Sequence, residues 1–377
     1  MNKSWGLIIF SMLMGWKGNH IQDGEEKAKV YVVNVFNGDV IQSYAGGYNT
    51  VYGMDSFSDQ VIYVAGRRVV GVSPEYLSTL YYLGSGNELV AVQANDEFIF
   101  LVDKTAKLIR ANVPIKQSDE PMFVQLDKNS LSRFTIVDSI VYCGDPQGGL
   151  MALKTTSMEQ KWTFKDKRHT KKNSILTTPE VYGNYIFFKM ENGVLYCLIH
   201  ESGAFNWKVN QWGMRSTLSS PIVHGNTVFH GVGNGVSGIN IHSGQKVWTY
   251  KTRCRVNAEI AIEDGVMYFG ADDGRFRAID VESQELKWVF STDYMILSRA
   301  VICKDIVMFG SSGGWFYGIN KNTGKLIWEL KTDGPIDGSM TPIVKDELLY
   351  FGHHDGFIVD FENRKNVDMR DFYKVGR

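Results

Sequence analysis

From residue 218 onward the pattern of apolar and polar positions repeats. Ser220-Pro221-Ile222-Val223 leads through Thr227-Val228-Phe229 to Gly231, then Asn234-Gly235, Ser243-Gly244 and Trp248. A second copy runs Ile260-Ala261-Ile262, Val266-Met267-Tyr268-Phe269-Gly270, Asp273-Gly274, Gln284 and Trp288. A third runs Ala300-Val301-Ile302, Ile306-Val307-Met308-Phe309-Gly310, Gly313-Gly314, Thr323-Gly324 and Trp328. The tryptophans are 40 residues apart (288 − 248, 328 − 288), and a fixed period of this size marks a repeat architecture. In each copy two alternating apolar runs flank a dipeptide that tolerates positive φ, which predicts a two-residue hairpin of the primed type. A looser turn at Gly244, Gln284 or Gly324 precedes the Trp strand. No 3.6-residue apolar stripe is present in this window, which argues against a helical repeat. The predicted unit is four short antiparallel strands, the plan of a propeller blade.

Upstream, the pattern holds in Val141-Tyr142-Cys143-Gly144 to Trp162 and in Ile186-Phe187-Phe188 to Trp207. It weakens in Val61-Ile62-Tyr63-Val64-Ala65-Gly66 and Phe98-Ile99-Phe100-Leu101-Val102, whose blades lack the Trp. Outer strands fall near 42, 79, 117, 162, 207, 248, 288 and 328, which gives eight blades. One of them is split. The run from Asn34 to Gln42 aligns with Asn320 to Trp328 but has no front half, and Met340-Thr341-Pro342-Ile343-Val344 through Asp355-Gly356 has no Trp strand after it. The fold class expected is all-β: an eight-bladed β-propeller of four-stranded antiparallel blades, closed by pairing of N- and C-terminal segments, which removes exposed sheet edges. Either terminus can supply the third strand of the closing blade.

The expected divisions are 1–29, a signal peptide or N-terminal extension; 30–361, the propeller; and 362–377, a C-terminal tail. Lys3 precedes a stretch from Trp5 to Trp16 that is apolar apart from Ser11. That is too short for an ordinary transmembrane helix and suits the apolar core of an export signal, with a buried N-terminal strand as the alternative. No A-x-A cleavage pattern is visible, and no cysteine in this region can carry a lipid. Export implies a periplasmic or secreted protein, expected to be a monomer. Hydrophobic residues make up 44% and aromatics 13%, which argues against disorder. The formal charge of −1 gives no global field for nucleic acid or an anionic membrane. Cys143, Cys197, Cys254 and Cys303 lie far apart without a CxxC pair, and read as small buried hydrophobes rather than disulfides or metal ligands.

Trp162, Trp207, Trp248, Trp288 and Trp328 occur once per blade, so they read as blade-docking residues rather than a ligand-stacking site. The run Gly-Ile-Asn-Lys-Asn-Thr-Gly-Lys-Leu-Ile-Trp at 318–328 resembles the tryptophan-docking motif A-x-D-x-x-x-G-x-x-x-W of the pyrroloquinoline-quinone (PQQ) repeat family. Ala278-Ile279-Asp280 and Gly238-Ile239-Asn240 repeat its opening. The resemblance spans about residues 30 to 361 and implies an eight-bladed propeller. The family has an enzymatic branch, the quinoprotein alcohol dehydrogenases, which hold PQQ with adjacent cysteines and calcium and use an aspartate base. This chain has no adjacent cysteines, and its one paired carboxylate in a blade turn, Asp272-Asp273, has a hairpin role. The non-enzymatic branch includes the propeller subunit of the outer-membrane β-barrel assembly machinery.

The expectation is therefore a non-enzymatic scaffold of the bacterial cell envelope, with a protein partner and no catalytic residue, cofactor or metal. A PQQ-dependent oxidoreductase and a glycan-binding propeller are the alternatives. Loops from each outer strand to the next inner strand should gather on one face, carrying Trp212, Arg215, Arg253, Arg255 and Arg299. Trp212 stands off the repeat beside Arg215, a composition found in interface hot spots. The basic run Lys165-Asp166-Lys167-Arg168-His169-Thr170-Lys171-Lys172 reads as a solvated loop. His353-His354-Asp355 lies in a hairpin turn without a second ligand set at zinc spacing.

Overall fold

The alternating runs fold as strands of three to seven residues. The structure, a computed structural model, describes residues 29–368 apart from 39, 46–50, 58–59, 66, 73–76, 83–86, 114–120, 129–133, 167–172, 211–216, 337–341, 353–356 and 360–365. The leader, most of the basic run and the tail, Trp212, Arg215, His353, His354 and Asp355 lie outside the described residues. The strands form eight four-stranded antiparallel sheets. Seven blades are continuous in sequence: 51–82, 89–125, 135–164, 180–209, 222–251, 261–291 and 301–331. The eighth joins the termini. Its strands run in the order Ile343–Lys345, Leu348–Gly352, Lys29–Asn34 and Val40–Ala45. The N-terminal segment thus supplies the third strand, with Val30 opposite Gly352 and Asn34 opposite Leu348. A two-stranded hairpin of Phe357–Val359 with Asn366–Asp368 follows and straddles the boundary expected at 361. We letter the strands of a blade a to d in sheet order; the a strands of neighbouring blades meet at several seams, as Val51–Phe57 does with Leu89–Ala94 on one side and Ile343–Lys345 on the other.

The b–c hairpins differ from the expected primed turns. Gly274 N donates to Ala271 O and Gly314 N to Ser311 O, at 3.1 and 3.0 Å. In these turns only the second residue of the dipeptide is left-handed, with φ +70° at Gly274 and +75° at Gly314. This is an ordinary turn completed by one left-handed glycine, the three-residue hairpin pattern. The c–d turn explains the Asp or Asn of the repeat motif. Asn320 Oδ1 accepts bonds from Asn322 N, Thr323 N and Thr323 Oγ1, and Asp280 Oδ1 does the same for Glu282 N, Ser283 N and Ser283 Oγ. The short side chain satisfies backbone donors that would otherwise be left open.

The five repeat tryptophans are 6–8% exposed, so each ring is spent on packing. Each indole donates to the carbonyl just past strand c of the next blade: Trp162 to His200, Trp207 to Ile241, Trp248 to Val281, Trp288 to Lys321 and Trp328 to Val35, all at 2.7–2.9 Å. The last of these crosses from the seventh blade to the eighth and seals the ring. A bulge in strand d places one residue outside the ladder just before the Trp, as at Ile327, where Gly318 pairs with Trp328 and Ile319 with Leu326.

The second blade departs from this plan. Its outer strand is Met122–Gln125 rather than a segment near 117, and Met122 pairs with Arg110 where Trp162 pairs with Ala152. Met122 cannot donate a hydrogen bond. Arg110, on strand c where the five Trp blades carry the small residues Ala152, Cys197, Gly238, Ala278 and Gly318, takes over the role. Its guanidinium donates to Thr155 O at 3.3 Å and to Thr156 O, and lies over the Phe98 ring, 4.5 Å from its centroid. Thr155 follows strand c of the third blade, the place that His200 holds in the fourth. With no Trp to cover, the left-handed turn residue there is buried Met158 (φ +57°) instead of glycine. Arg110→Ala is expected to cost about 1–3 kcal/mol, from charge-assisted bonds lost and carbonyls left unpaired. Urea denaturation checks this; a change below about 0.5 kcal/mol, the scale of neutral surface substitutions, would count against the docking role.

Candidate docking face

Loops from strand d to the next strand a are the irregular part of each repeat, and they stack on the b–c hairpins of the blade they enter. Asp272 N donates to Arg255 O at 3.1 Å, and Ser312 N to Met295 O at 2.9 Å. One face of the ring therefore carries both sets of turns. The cysteines take no part as a set. All four are free; Cys143 and Cys197 are buried, and burial pushes the Cys197 thiol up to about 12. Cys254 and Cys303 are half-buried.

The arginines expected on this face do not form one cluster. Arg253 is exposed. Arg255 Nε lies 3.2 Å from Asp272 Oδ2, and Asn257 Nδ2 donates to both oxygens of Asp272 at 3.1 Å. Arg299 belongs to the next loop and a different partner: its Nη1 is 3.9 Å from Glu259 Oε2. Glu259 in turn accepts a 2.9 Å bond from Ser220 Oγ, which accepts one from Thr178 N at 3.2 Å. Thr178, Ser220, Glu259 and Arg299 stand just before strand a in four successive blades, so this polar line follows the rim of the central channel.

The paired carboxylates are divided between arginines. Asp273 Oδ2 meets Arg277 Nη2 at 2.6 Å, and its Oδ1 meets Nη1 at 3.1 Å. Burial raises the Asp272 carboxyl, and Arg255 and Asn257 offset only part of that rise. Burial also acts on Asp273, but the hydrogen bonds and charge of Arg277 outweigh it and hold the carboxyl below its usual range. Glu180, at the start of its strand a, is raised by burial against a bond from Val223 N and the charge of Arg299. Among the described residues, no group of three or more His, Cys, Asp or Glu is arranged to hold a metal ion. The described start of the basic run is tied into the blades: Lys165 pairs with Asp145 at 3.1 Å, while Asp166 accepts the Tyr196 hydroxyl at 2.8 Å and pairs with Lys208. No helix among the described residues is long and apolar enough to cross a membrane.

The sequence reading missed the partners of these arginines. The signal available was spacing: Arg255 and Asn257 stand two apart in a loop one hairpin away from Asp272-Asp273, a pattern absent from the flanking repeats.

A family model described as outer membrane protein assembly factor BamB matches residues 124–261 and again 243–374. No curated protein matches the sequence. Among solved structures, BamB from Moraxella catarrhalis is 15% identical with a TM-score of 0.63, over 80% of this chain and 93% of that one. The computationally designed Ika8 protein is 15% identical with a TM-score of 0.66, over 82% and 94%. A europium-containing methanol dehydrogenase is 9% identical with a TM-score of 0.64, over 79% and 81%. At these identities the structural likenesses establish the fold alone.

Proposed function

The chain belongs to the family described as outer membrane protein assembly factor BamB, and on that premise we propose that it is a non-enzymatic docking propeller of the bacterial cell envelope. It binds a protein partner through the face of d–a loops and b–c hairpins, and acts in the periplasm as a monomer after removal of an export segment that ends before the closing strand Lys29–Asn34. Arg253, Arg255 and Arg299 contribute to the contact, together with Trp212 and Arg215 of the loop outside the described residues. The observation that carries the reading is the state of the carboxylates on that face. Asp272 and Asp273, the pair an oxidoreductase reading needs as base or ligand, are each held by an arginine. Such clamps fix the shape of a loop surface, which is what a docking site requires.

The test is capture of partners from native envelope with the full chain. Arg253→Ala/Arg255→Ala/Arg299→Ala is expected to lose at least about tenfold in affinity, since arginines at interface centres carry disproportionate binding energy. Trp212→Ala/Arg215→Ala is expected to lose as much. Circular dichroism and thermal melting establish that the variants fold. Undiminished capture by both variants would reject this face, and alcohol-dependent dye reduction after addition of PQQ and calcium would reject the non-enzymatic reading.

A further inference from the structure

At the seams between later blades, the end of strand b is a glycine against which a loop residue of the next blade is pressed. A β-carbon on Gly270 would lie 2.1 Å from Ile296 Cγ2, and one on Gly310 would lie 2.4 Å from Ile336 Cγ2. The residue before that glycine is a fully buried phenylalanine, Phe269 or Phe309, which meets an aromatic ring of the preceding blade, Tyr250 or Phe290, at 6.2 Å.

One seam is built differently. Between the fourth and fifth blades, Lys189 stands in place of the glycine, Thr217 in place of the isoleucine, and His230 in place of the phenylalanine. All three are buried. Lys189 Nζ donates to Thr217 O at 3.0 Å, to Thr217 Oγ1 at 2.8 Å and to Gly231 O at 3.4 Å. Thr217 Oγ1 also donates to Gly231 O at 2.6 Å, and Lys189 N to Thr177 Oγ1 at 3.0 Å. The ammonium is thus the pin that holds the last turn of a d–a loop to the blade beside it. His230 is fully buried, opposite Ser237 in the sheet, and the charges that act on it are Lys189 from strand Tyr185–Lys189 and Lys246 from strand Lys246–Lys251.

We propose that this seam is an acid-opened latch: a proton on His230, beside the Lys189 ammonium, releases Thr217 and loosens the loop that enters the fifth blade. A neutral imidazole fits a buried seam next to a cation, whereas an imidazolium there adds a second buried charge of the same sign. Burial first, then the two lysines, hold the imidazole well below its ordinary value. The sign follows. A group depressed in the closed state takes its proton only when the seam opens, so closure is fully favoured above about 6.5 and weakens about tenfold per pH unit below it, down to the depressed value. The latch concerns the scaffold's own motion and does not depend on which partner binds.

Hydrogen exchange at about pH 7 and about pH 5, corrected for intrinsic rates, tests it. In the wild type, 185–189, 217–219 and 227–232 are expected to exchange ~25-fold faster at the lower pH, while the closing strands Lys29–Asn34 and Leu348–Gly352 keep their protection. His230→Phe, which copies the neighbouring blades, is expected to abolish the response. Lys189→Met removes both the pin and the repelling charge, so it is expected to raise exchange at about pH 7 and to shrink the acid response, because the closed-state imidazole moves back toward its ordinary value. Equal protection at both pH values, or an unaltered acid response in either variant, would overturn the latch.

Discussion

Trp328→Ala is expected to destabilise the fold by roughly 3–5 kcal/mol, the range for deleting a large aromatic from a packed interior. The indole stacks on Phe316 at 6.4 Å, lies against Gly38 and donates to Val35 O at 2.7 Å. The four other docks join blades already consecutive in the chain. This one ties the seventh blade to a strand from the other terminus, so its loss should appear first as faster exchange in Lys29–Asn34 and Leu348–Gly352. Trp328→Phe keeps most of the buried area and loses only the donor, with an expected cost of about 1–2 kcal/mol. Trp248→Ala, equally buried but between continuous blades, is the comparison: its lost protection should centre on its own seam. Urea denaturation with hydrogen exchange reads both effects. If both alanine variants open the same region, the closing seam is not the weak point of the ring.

Gly324→Val is expected to cost roughly 3 kcal/mol or more, combining left-handed strain with overpacking. Gly324 has φ +71°, and a β-carbon there would sit 2.7 Å from Trp288 Cδ2 and Cγ. Gly203 and Gly244 stand in the same relation to Trp162 and Trp207, at 2.6 and 2.9 Å. The control is Gly183→Val. Gly183 has φ +55° with nothing within 4 Å of the added carbon, so only the backbone cost of about 1–2 kcal/mol applies. The difference between the two variants isolates the ring contact, and equal melting temperatures would refute it. The sixth blade offers a milder change. Gln284 holds the equivalent turn at φ +62° with its side chain exposed, so that turn has yielded enough to admit a β-carbon. Gly324→Gln should therefore cost less than Gly324→Val.

These contacts explain why so much of the fold was legible in the chain. The Trp recurs because one carbonyl per blade needs the same donor, and the Asp or Asn and the Gly recur because the turn beneath the ring needs a cap and no side chain. Where one part is replaced, the rest of the signature disappears with it. Where the second blade docks on the third, Arg110 and Met122 of the second and Met158 in the c–d turn of the third replace the signature, and counting periods put the outer strand near 117. Blade closure was legible from two half-repeats, but the donor of the third strand was not, because both termini carry a segment that could fill that place. The docking face was less legible. Sequence placed Arg253, Arg255 and Arg299 on one kind of loop, but charge partners are set by spatial neighbours: Arg255 is committed to Asp272, and Arg299 to Glu259 one loop earlier. The Lys189, Thr217 and His230 set was invisible because each is a single departure in a different element.

The register of the closing strands also fixes how the molecule yields to force. Val30, near one end of the chain, faces Gly352, near the other, while Asn34 faces Leu348 deeper in the ladder. Tension on the two termini therefore loads the outermost rung alone and peels the ladder open one rung at a time. A parallel arrangement would have shared the load across every rung. A ring sealed this way opens most readily to a pull between its ends, so a tether at one end with an anchor at the other would split the eighth blade before the seven continuous blades unfold.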